Sequence, residues 1–437
     1  MNPGKILLTV IIGLAANGAA RAADPGAISA PAAPAASDLL DVETVIREAL
    51  AHNPDLDEAS ARTLASDARG RASGRWPDLG VQAQLWQQPL SRPVDFSQAN
   101  MLMLGLRQTF PAPGAASARQ RAGEAEADAT RAVAAARRAE LVLQVRRAFA
   151  QYWLAEQEQL IHLDHMQITD QIVQEARTYY AQGLISKVDF LRTTVELGRV
   201  HAVLSDVAQQ RRASGALLNT LMAREPDARL GVPRAPALPE TEPPVPDMEA
   251  LAGRKPEVTA AEDQVRRSEA MLASMRAESS WPEFMVGLDY GYMPIDRTST
   301  YTAMLGFTLP WLSPRHGDDQ REASASLSAS QSALRSARNQ ARYMLRDALV
   351  RYRAARDSHD LVERQLVPQA EMAAIAAQDA FRNRQSDSLG LLDARRQFLD
   401  MRLEQVRARA RVQETWGELE RASGAVPVAK GAGRENS

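Results

Sequence analysis

The sequence has no cysteine, few aromatic residues and no excess of either charge, and each lack excludes a class of protein. Without cysteine, the 437-residue chain cannot form disulfides, thiolate zinc sites, iron–sulfur clusters or a nucleophilic thiol. The formal net charge of −2, from 52 basic and 54 acidic residues, argues against a nucleic-acid-binding protein. Aromatic residues make up only 5% of the chain, and much of its 45% hydrophobic share is alanine. This composition favours long, closely packed helices over a thick aromatic core.

The N-terminal residues predict export from the cytoplasm. Lys5 precedes an apolar stretch, and Ala20-Arg21-Ala22 has the small-x-small pattern of a cleavage site, so residues 1–22 are predicted to be a secretory signal peptide. No later segment approaches the ~20 uncharged apolar residues that a spanning helix needs. Any membrane-spanning part of the chain would therefore be built from β-strands. Residues 23–37 and 424–437 are predicted to be disordered.

An internal duplication organises the rest of the chain. Asn-Pro-Asp-Leu at residues 53–56 recurs as Lys-Pro-Glu-Val at residues 255–258, and Trp76-Pro77 recurs as Trp281-Pro282. These marks keep their order and recur after about 200 residues, which indicates a duplicated unit.

The duplication predicts two repeats, residues 38–223 and 248–423, on either side of a proline-rich linker at residues 224–247. Each repeat contains two stretches in which apolar residues alternate with polar or small ones. They predict strands at about 78–88, 100–110, 283–293 and 300–310. Strands of about ten residues have the length that a tilted membrane strand requires. Soluble hairpins also alternate, so the strands alone leave both environments open.

The helical segments distinguish better between a membrane protein and a soluble one. From Ala115 to Tyr180 there is no proline, and alanines, with Leu143 at one position, recur every seven residues along two adjacent seams. A helix of that length would extend roughly 100 Å. A similar pattern follows in the second repeat until Pro368 interrupts it. Helices this long favour the staves of a tube over a compact globule, whereas a two-helix coiled coil on a soluble domain is the alternative.

Together these marks resemble the TolC-like outer-membrane efflux proteins, the exit ducts of tripartite pumps. The resemblance covers nearly the whole mature chain and includes the turn at residues 180–191. It implies an internally duplicated α+β membrane protein, in which long helical hairpins form a periplasmic tunnel. Three protomers would each contribute four strands to one 12-stranded outer-membrane β-barrel. The implied partners are a periplasmic adaptor, an inner-membrane RND pump and outer-membrane lipid, with no nucleic acid and no cofactor.

Two short segments are most similar to the heavy-metal, CzcC-like branch of this family: Gln-Thr-Phe-Pro-Ala-Pro-Gly at residues 108–114 and Leu-Pro-Trp-Leu at residues 309–312. The expected function is therefore passive export of heavy-metal cations as the outer-membrane channel of a tripartite pump. Multidrug efflux, other small-molecule efflux and type I secretion are the alternatives within the family. The alternative from another class is a soluble periplasmic coiled-coil adaptor. An enzyme is not expected, because the chain has no Gly-x-Ser-x-Gly, His-Glu-x-x-His or phosphate-loop motif.

The resemblance also assigns two sites. Its Gly-Leu-x-Ser turn, where the adaptor docks, corresponds to Gly183, Leu184 and Ser186, although a simple helix connection would explain the same residues. Related ducts close their tip with a ring of aspartates, and Asp393 matches one of these positions as a pore constriction. Gly390 and Ser386 are neutral at two further positions of that gate, where the family has charged residues. Asp393 on an ordinary solvated surface is the alternative.

Candidate metal ligands are few. His162 and His165 lie three residues apart on a predicted helix, a spacing that can chelate a divalent metal, although solvated surface histidines are commoner. Methionines offer thioether ligands to Cu(I), but methionine in helices and strands more often serves packing. The methionines considered are Met271 with Met275, or Met285 with Met293 and Met304.

Overall fold

The structure, a computed structural model, describes residues 39–88, 95–238, 248, 250, 252–312, 314–383, 385–386 and 388–424. The predicted signal peptide and the predicted disordered segments, apart from Gly424, lie outside the described residues, as does the second part of the predicted linker.

Long helices and one larger sheet make up the described part of the chain. The helices of the first repeat are α1 (Val42–His52), α2 (Pro54–Ser73), α3 (Ala115–Ala181) and α4 (Lys187–Leu221). Those of the second are α5 (Pro256–Ser280), α6 (Arg315–Leu361), α7 (Val367–Arg382) and α8 (Ser388–Ser423). The strands are β1 (Leu39–Leu40), β2 (Gly80–Trp86), β3 (Met101–Phe110), β4 (Val232–Pro233), β5 (Phe284–Met293) and β6 (Thr298–Phe307). The predicted α+β class is confirmed, and the two halves repeat one order of elements.

The start of α2 shows how the local sequence sets a helix boundary. The side chain of Asn53 accepts a hydrogen bond from Asp55 N–H at 3.0 Å and donates one to the carbonyl of Leu221 at 3.0 Å. Pro54 follows at the first helical position, where its missing N–H costs nothing. Lys255 takes the corresponding place before α5; it is buried, and its side chain makes no capping hydrogen bond.

Helix α3 forms the centre of the helical part, because α2, α4, α5 and α8 all pack against it. Small residues allow this close packing. Where α2 crosses α3, a Cβ atom on Gly70 would lie 2.8 Å from the carbonyl oxygen of Gly123. The alanines of the two seams that are buried on α3 are Ala118, Ala122, Ala125, Ala132, Ala139 and Ala150.

Pro368 interrupts the second long helix only locally. A π-helical segment, Val362–Leu366, joins α6 to α7, and Pro368 lies in the first turn of α7. Proline has no N–H to donate to the residue four positions earlier, and its ring crowds that carbonyl. The wider π turn accommodates both effects, so residues 315–382 form one nearly continuous helical run that matches the 67-residue α3.

Each repeat has its own apolar core at the corresponding place. In the first, Phe149 and Tyr152 of α3 pack with Leu218 of α4 and Val45 of α1. In the second, Leu345 and Tyr352 of α6 pack with Val412 and Leu419 of α8. The parallel pair of β1 with β4 lies beside the first core.

The four longer strands form an antiparallel sheet in the order β2-β3-β5-β6. The central pair, β3 with β5, joins the two repeats. Strand β2 covers seven residues, fewer than predicted, and β6 begins and ends earlier than predicted. The chain after β6 turns into a 3-10 helix at Pro310–Leu312, where proline has no N–H for a strand ladder.

Candidate functional sites at the helical tip and the sheet

The turn between α3 and α4 is a Schellman motif closed by glycine. Leu184 N–H donates to the carbonyl of Tyr179 at 2.8 Å, and Gly183 N–H donates to that of Tyr180 at 2.9 Å. Gly183 has φ +74°, in the left-handed region, and no atom lies within 4 Å of the place where its Cβ would stand. Backbone conformation, and not space, therefore favours glycine here.

Ser186 and Leu184 have different places in this turn. The Ser186 Oγ accepts a hydrogen bond from Asp189 N–H at 3.1 Å and donates to Asp189 Oδ2 at 2.7 Å, so it caps α4. The rings of Tyr180 and Phe190 stack at 5.5 Å on either side of the turn. Leu184 is an apolar side chain that is 44% exposed on this hydrogen-bonded turn. Ser186 shapes the turn, whereas the Leu184 side chain lies on the surface.

The turn between α7 and α8 is the corresponding tip of the second repeat, and its backbone hydrogen bonding is similar. Gln385 N–H donates to the carbonyl of Ala380 at 2.7 Å, as Leu184 does in the first repeat. Arg384, which takes the place of Gly183, lies outside the described residues. The sequence predicts turns at residues 183–189 and 384–390, but the following helices begin at Lys187 and Ser388. Asp189 and Gly390 therefore already lie inside helices, and both turns are shorter than predicted.

The two tips pack side by side. The rings of Tyr179 and Phe381 lie 5.8 Å apart, and Phe381 is buried with Ile172 and Leu391. Arg396 of α8 forms an ion pair with Glu196 of α4 at 2.8 Å. The four helix ends therefore form one surface.

Asp393 lies on this surface, in a groove of about 450 Å³ between α4 and α8. Its carboxylate is exposed and accepts a hydrogen bond from Gln397 Nε2 at 2.9 Å. Arg192 and Arg396 line the same groove. The groove also has an apolar wall, formed by Val188, Leu191, Val195, Leu389 and Leu392.

The two candidate histidine ligands are buried. The alternative interpretation of the sequence, that they lie on a solvated surface, is therefore wrong. His162 is 7% and His165 is 9% exposed, because α4 and α8 pack over this part of α3. Burial lowers the pKa of both imidazoles, and the neighbouring His162 lowers that of His165 further. Asp164, between them in sequence, pairs with Arg402 at 2.6 Å. In the described part of the chain, no group of three or more His, Asp or Glu side chains could hold a metal ion.

The sheet has two chemically different faces, defined by the strand register. The first, which we call the apolar face, is exposed: Val81 is 68%, Leu305 68% and Tyr301 82% accessible. A soluble protein rarely exposes so large an apolar surface. The other residues of the apolar face are Ala83, Leu85, Leu102, Leu104, Leu106, Phe110, Phe284, Val286, Leu288, Tyr290, Tyr292, Ala303 and Phe307, together with the polar Gln108 and Ser299.

The second face, which we call the methionine face, carries mainly small and polar residues, one tryptophan and all five methionines of these strands. They are Met101, Met103, Met285, Met293 and Met304, with Gly80, Gln82, Gln84, Trp86, Gly105, Arg107, Thr109, Gly287, Asp289, Gly291, Thr298, Thr300, Thr302 and Gly306. Sequence alternation assigns faces within each strand, but it does not reveal that these methionines gather on one side of the sheet. Among the described residues, no helix is both long and apolar enough to cross a membrane.

Known proteins share this arrangement. A family model described as outer membrane efflux protein matches residues 45–224 and 248–425. The chain therefore belongs to the family of outer membrane efflux proteins, and the prediction of an outer-membrane transport protein of the TolC family is confirmed. The heavy-metal branch stays a prediction. Comparison with curated proteins gave no match.

Solved structures share the fold at low sequence identity. A membrane protein from Pseudomonas aeruginosa superposes with a TM-score of 0.77 at 19% identity, covering 90% of this chain and 98% of its own. The outer membrane protein VceC from Vibrio cholerae superposes with a TM-score of 0.75 at 21% identity, covering 88% of this chain and 96% of its own. The Neisseria gonorrhoeae MtrE outer membrane channel superposes with a TM-score of 0.73 at 18% identity, covering 88% of each chain.

Proposed function

We propose that three copies of the chain form the outer-membrane exit duct of a tripartite efflux pump, with their sheets closed into one 12-stranded barrel and their helices into a periplasmic tunnel. The apolar face of the sheet carries this proposal, because it is exposed along all four strands. In lipid, that face would be buried in hydrocarbon.

Closure with other copies removes the edges of the sheet. A sheet of four strands leaves β2 and β6 with unpaired backbone groups, which lipid does not tolerate. Because the four strands alternate in direction, β2 and β6 run antiparallel to each other. Strand β6 of one copy can therefore pair with β2 of the next in the antiparallel pattern of outer-membrane barrels. Ten-residue strands, tilted by about 45°, cover roughly 23 Å, near the ~25 Å of the apolar band.

The helical tip is the proposed contact with a periplasmic adaptor, through the turn of Gly183, Leu184 and Ser186. Exposed Leu184 supplies an apolar anchor, and the groove beside it offers apolar and charged walls. Asp393 is proposed as part of the pore constriction. The energy for transport comes from an inner-membrane pump of the RND type, since the chain carries no motif for energy coupling.

The proposed cargo is heavy-metal cations, on the similarity of residues 108–114 and 309–312 to the CzcC-like branch. Small-molecule efflux is the second candidate, since a passive duct receives cargo that its pump has already selected. A soluble coiled-coil adaptor is disfavoured, because it would have no reason to expose the apolar face to water.

Expression of the full chain in a Gram-negative host tests the proposal. We expect a heat-modifiable trimer in the outer-membrane fraction that conducts ions in planar bilayers. A monomer in the periplasmic fraction, without conductance, would contradict it. Deletion of the chromosomal copy, followed by growth on metal salts and on drugs, decides the cargo: sensitivity to drugs alone would overturn the heavy-metal assignment.

A further inference from the structure

The five methionines of the sheet all lie on one face, and it is not the apolar face. Methionine used only as a packing residue would be at least as suitable among the leucines and valines of the apolar face, which has none. Instead, five of the chain's 14 methionines share a face with glycine, threonine and glutamine. Because the chain has no cysteine, these thioethers are the only sulfur ligands that the sheet can offer.

Contacts across the strands show that these side chains lie over the sheet. The sulfur of Met101 lies 2.8 Å from the position where a Cβ atom on Gly291 would stand, so it reaches across to β5. The Met285 methyl group lies 3.2 Å from the corresponding position on Gly306, and the Met304 Cβ lies 3.5 Å from that on Gly287. The glycines leave the space that the thioethers occupy.

The methionines form two groups along the strands. Met285 and Met304 are diagonal neighbours on β5 and β6, close to the helices, because Met285 pairs with Gly306 and Met304 with Gly287. Met101, Met103 and Met293 lie at the opposite end, around the register pair of Met103 with Gly291. From Met285 to Met293, β5 rises about 26 Å.

The charges of this face do not select cations by themselves. Asp289 and Arg107 are its two charged residues within these four strands, and they lie on diagonally adjacent positions of β5 and β3. Their formal charges cancel, so selectivity has to come from ligand type. Neutral thioethers are soft ligands that favour Cu(I) and bind divalent cations of the first transition row poorly.

We propose that the methionine face binds soft monovalent cations, Cu(I) or Ag(I), at two successive positions as they pass through the duct. The inference rests on the proposed function, because this face lines a lumen only when the sheet closes. Binding at two places by uncharged ligands suits conduction, in which an ion must enter a site and also leave it. The proposal narrows the cargo from heavy metals in general to soft monovalent ions.

Ag(I) is the probe, since it is stable to air and prefers the same ligands. The purified full-length protein in detergent, in chloride-free nitrate buffer, is titrated with Ag(I) by equilibrium dialysis, and the ligand atoms are identified by X-ray absorption. We expect Ag(I) bound to sulfur, with affinity about tenfold weaker when Met101, Met103, Met285, Met293 and Met304 are all replaced by leucine. The matched control replaces Met271, Met344 and Met372, which are exposed on helices, by leucine and retains full binding.

Two further variants each remove one group of methionines. The first combines Met285→Leu with Met304→Leu, and the second combines Met101→Leu, Met103→Leu and Met293→Leu. Each should lower the amount of bound Ag(I). Equal binding by the five-leucine variant, Ag(I) bound to nitrogen only, or Zn(II) binding as tight as Ag(I) would overturn the proposal. Conductance in planar bilayers is recorded on the same preparations. A wild-type channel that conducts but does not bind Ag(I) contradicts this inference alone, whereas a protein that forms no channel contradicts the proposed function.

Discussion

The carboxylate of Asp289 on β5 lies directly over Gly105 on β3, at a register pair that joins the two repeats. A Cβ atom on Gly105 would overlap Asp289 Oδ1. Asp289 is only 5% exposed. Gly105 is therefore needed for space, in contrast to Gly183, which is needed for its backbone conformation.

This contact predicts the effect of a single methyl group. Gly105→Ala should destabilise the protein by about 1–3 kcal/mol, the cost of forcing an extra carbon into an occupied position. The readout is a lower temperature at which the trimer dissociates in detergent. Asp289→Gly in the same chain should restore most of the loss, and Gly80→Ala serves as control, because the nearest atom to its Cβ would be 3.6 Å away. A Gly105→Ala protein as heat-stable as the wild type would show that the carboxylate moves aside freely.

The left-handed conformation at Gly183 predicts a graded series. Gly183→Asn should be tolerated, since asparagine visits the left-handed region, whereas Gly183→Val should cost about 1–2 kcal/mol and distort the turn. The measurement is adaptor-dependent resistance at constant trimer level in the outer membrane. Resistance that is equal in both variants would mean that the turn conformation does not matter for docking.

Leu184 tests docking without strain in the backbone. Leu184→Glu should leave the amount of trimer unchanged and weaken adaptor binding by about 2 kcal/mol or more, as expected for loss of an apolar anchor. Leu64→Glu is the matched control, because Leu64 is 70% exposed and belongs to α2, a helix that does not take part in the tip. Full binding and resistance with Leu184→Glu would remove this residue from the interface.

Much of the architecture is predictable from local sequence. Asn53 and Pro54 define a helix start by hydrogen-bond capability and fixed φ, and alternation groups the strand residues by face. The contact of Asp289 with Gly105 is not predictable in this way, because it depends on which residue of β3 pairs with which residue of β5. A register shifted by two residues would keep the same residues on each face but give different partners.

The buried histidines show a second limit. A helix with partners on several sides, as α3 has, does not present a single apolar stripe, so polar residues at 162 and 165 give no sign of burial. The surroundings of Asp393 show the same limit. The sequence shows that Ser386 is neutral at a gate position where the family has a charged residue. It does not show that Arg192 and Arg396 lie beside Asp393, because that depends on how the two hairpins pack.

The histidine pair predicts a pH-dependent stability. Burial holds the pKa of His162 and His165 below the ordinary 6.5, so near and below that pH the unfolded chain binds more protons than the folded one. Lowering the pH from 7 towards 5 should therefore destabilise the fold, by at most about 1.4 kcal/mol per pH unit for each histidine. The charged groups acting on the pair are Glu158, Asp164, Glu196, Arg395 and Arg407.

The measurement for this prediction is the heat stability of the trimer as a function of pH. The double variant His162→Gln, His165→Gln should show a smaller decrease between pH 7 and 5 than the wild type, whatever its stability at pH 7. His201→Gln, at an exposed position on α4, should retain the wild-type slope. If the double variant kept that slope too, the acid sensitivity would belong to other groups.

Asp393 predicts how the duct discriminates between ions. Three copies of this exposed carboxylate near a three-fold axis would attract cations, although Arg192 and Arg396 in the same groove weaken the field. Asp393→Asn should therefore lower the permeability of K⁺ relative to Cl⁻ by about two- to threefold, measured as a shift of the reversal potential in planar bilayers under a salt gradient. Asp318→Asn is the control, because its carboxylate lies at the start of α6 and pairs with Arg321 at 2.7 Å. If both variants conduct like the wild type, Asp393 faces solvent outside the pore, and the constriction is formed by other residues of the tip.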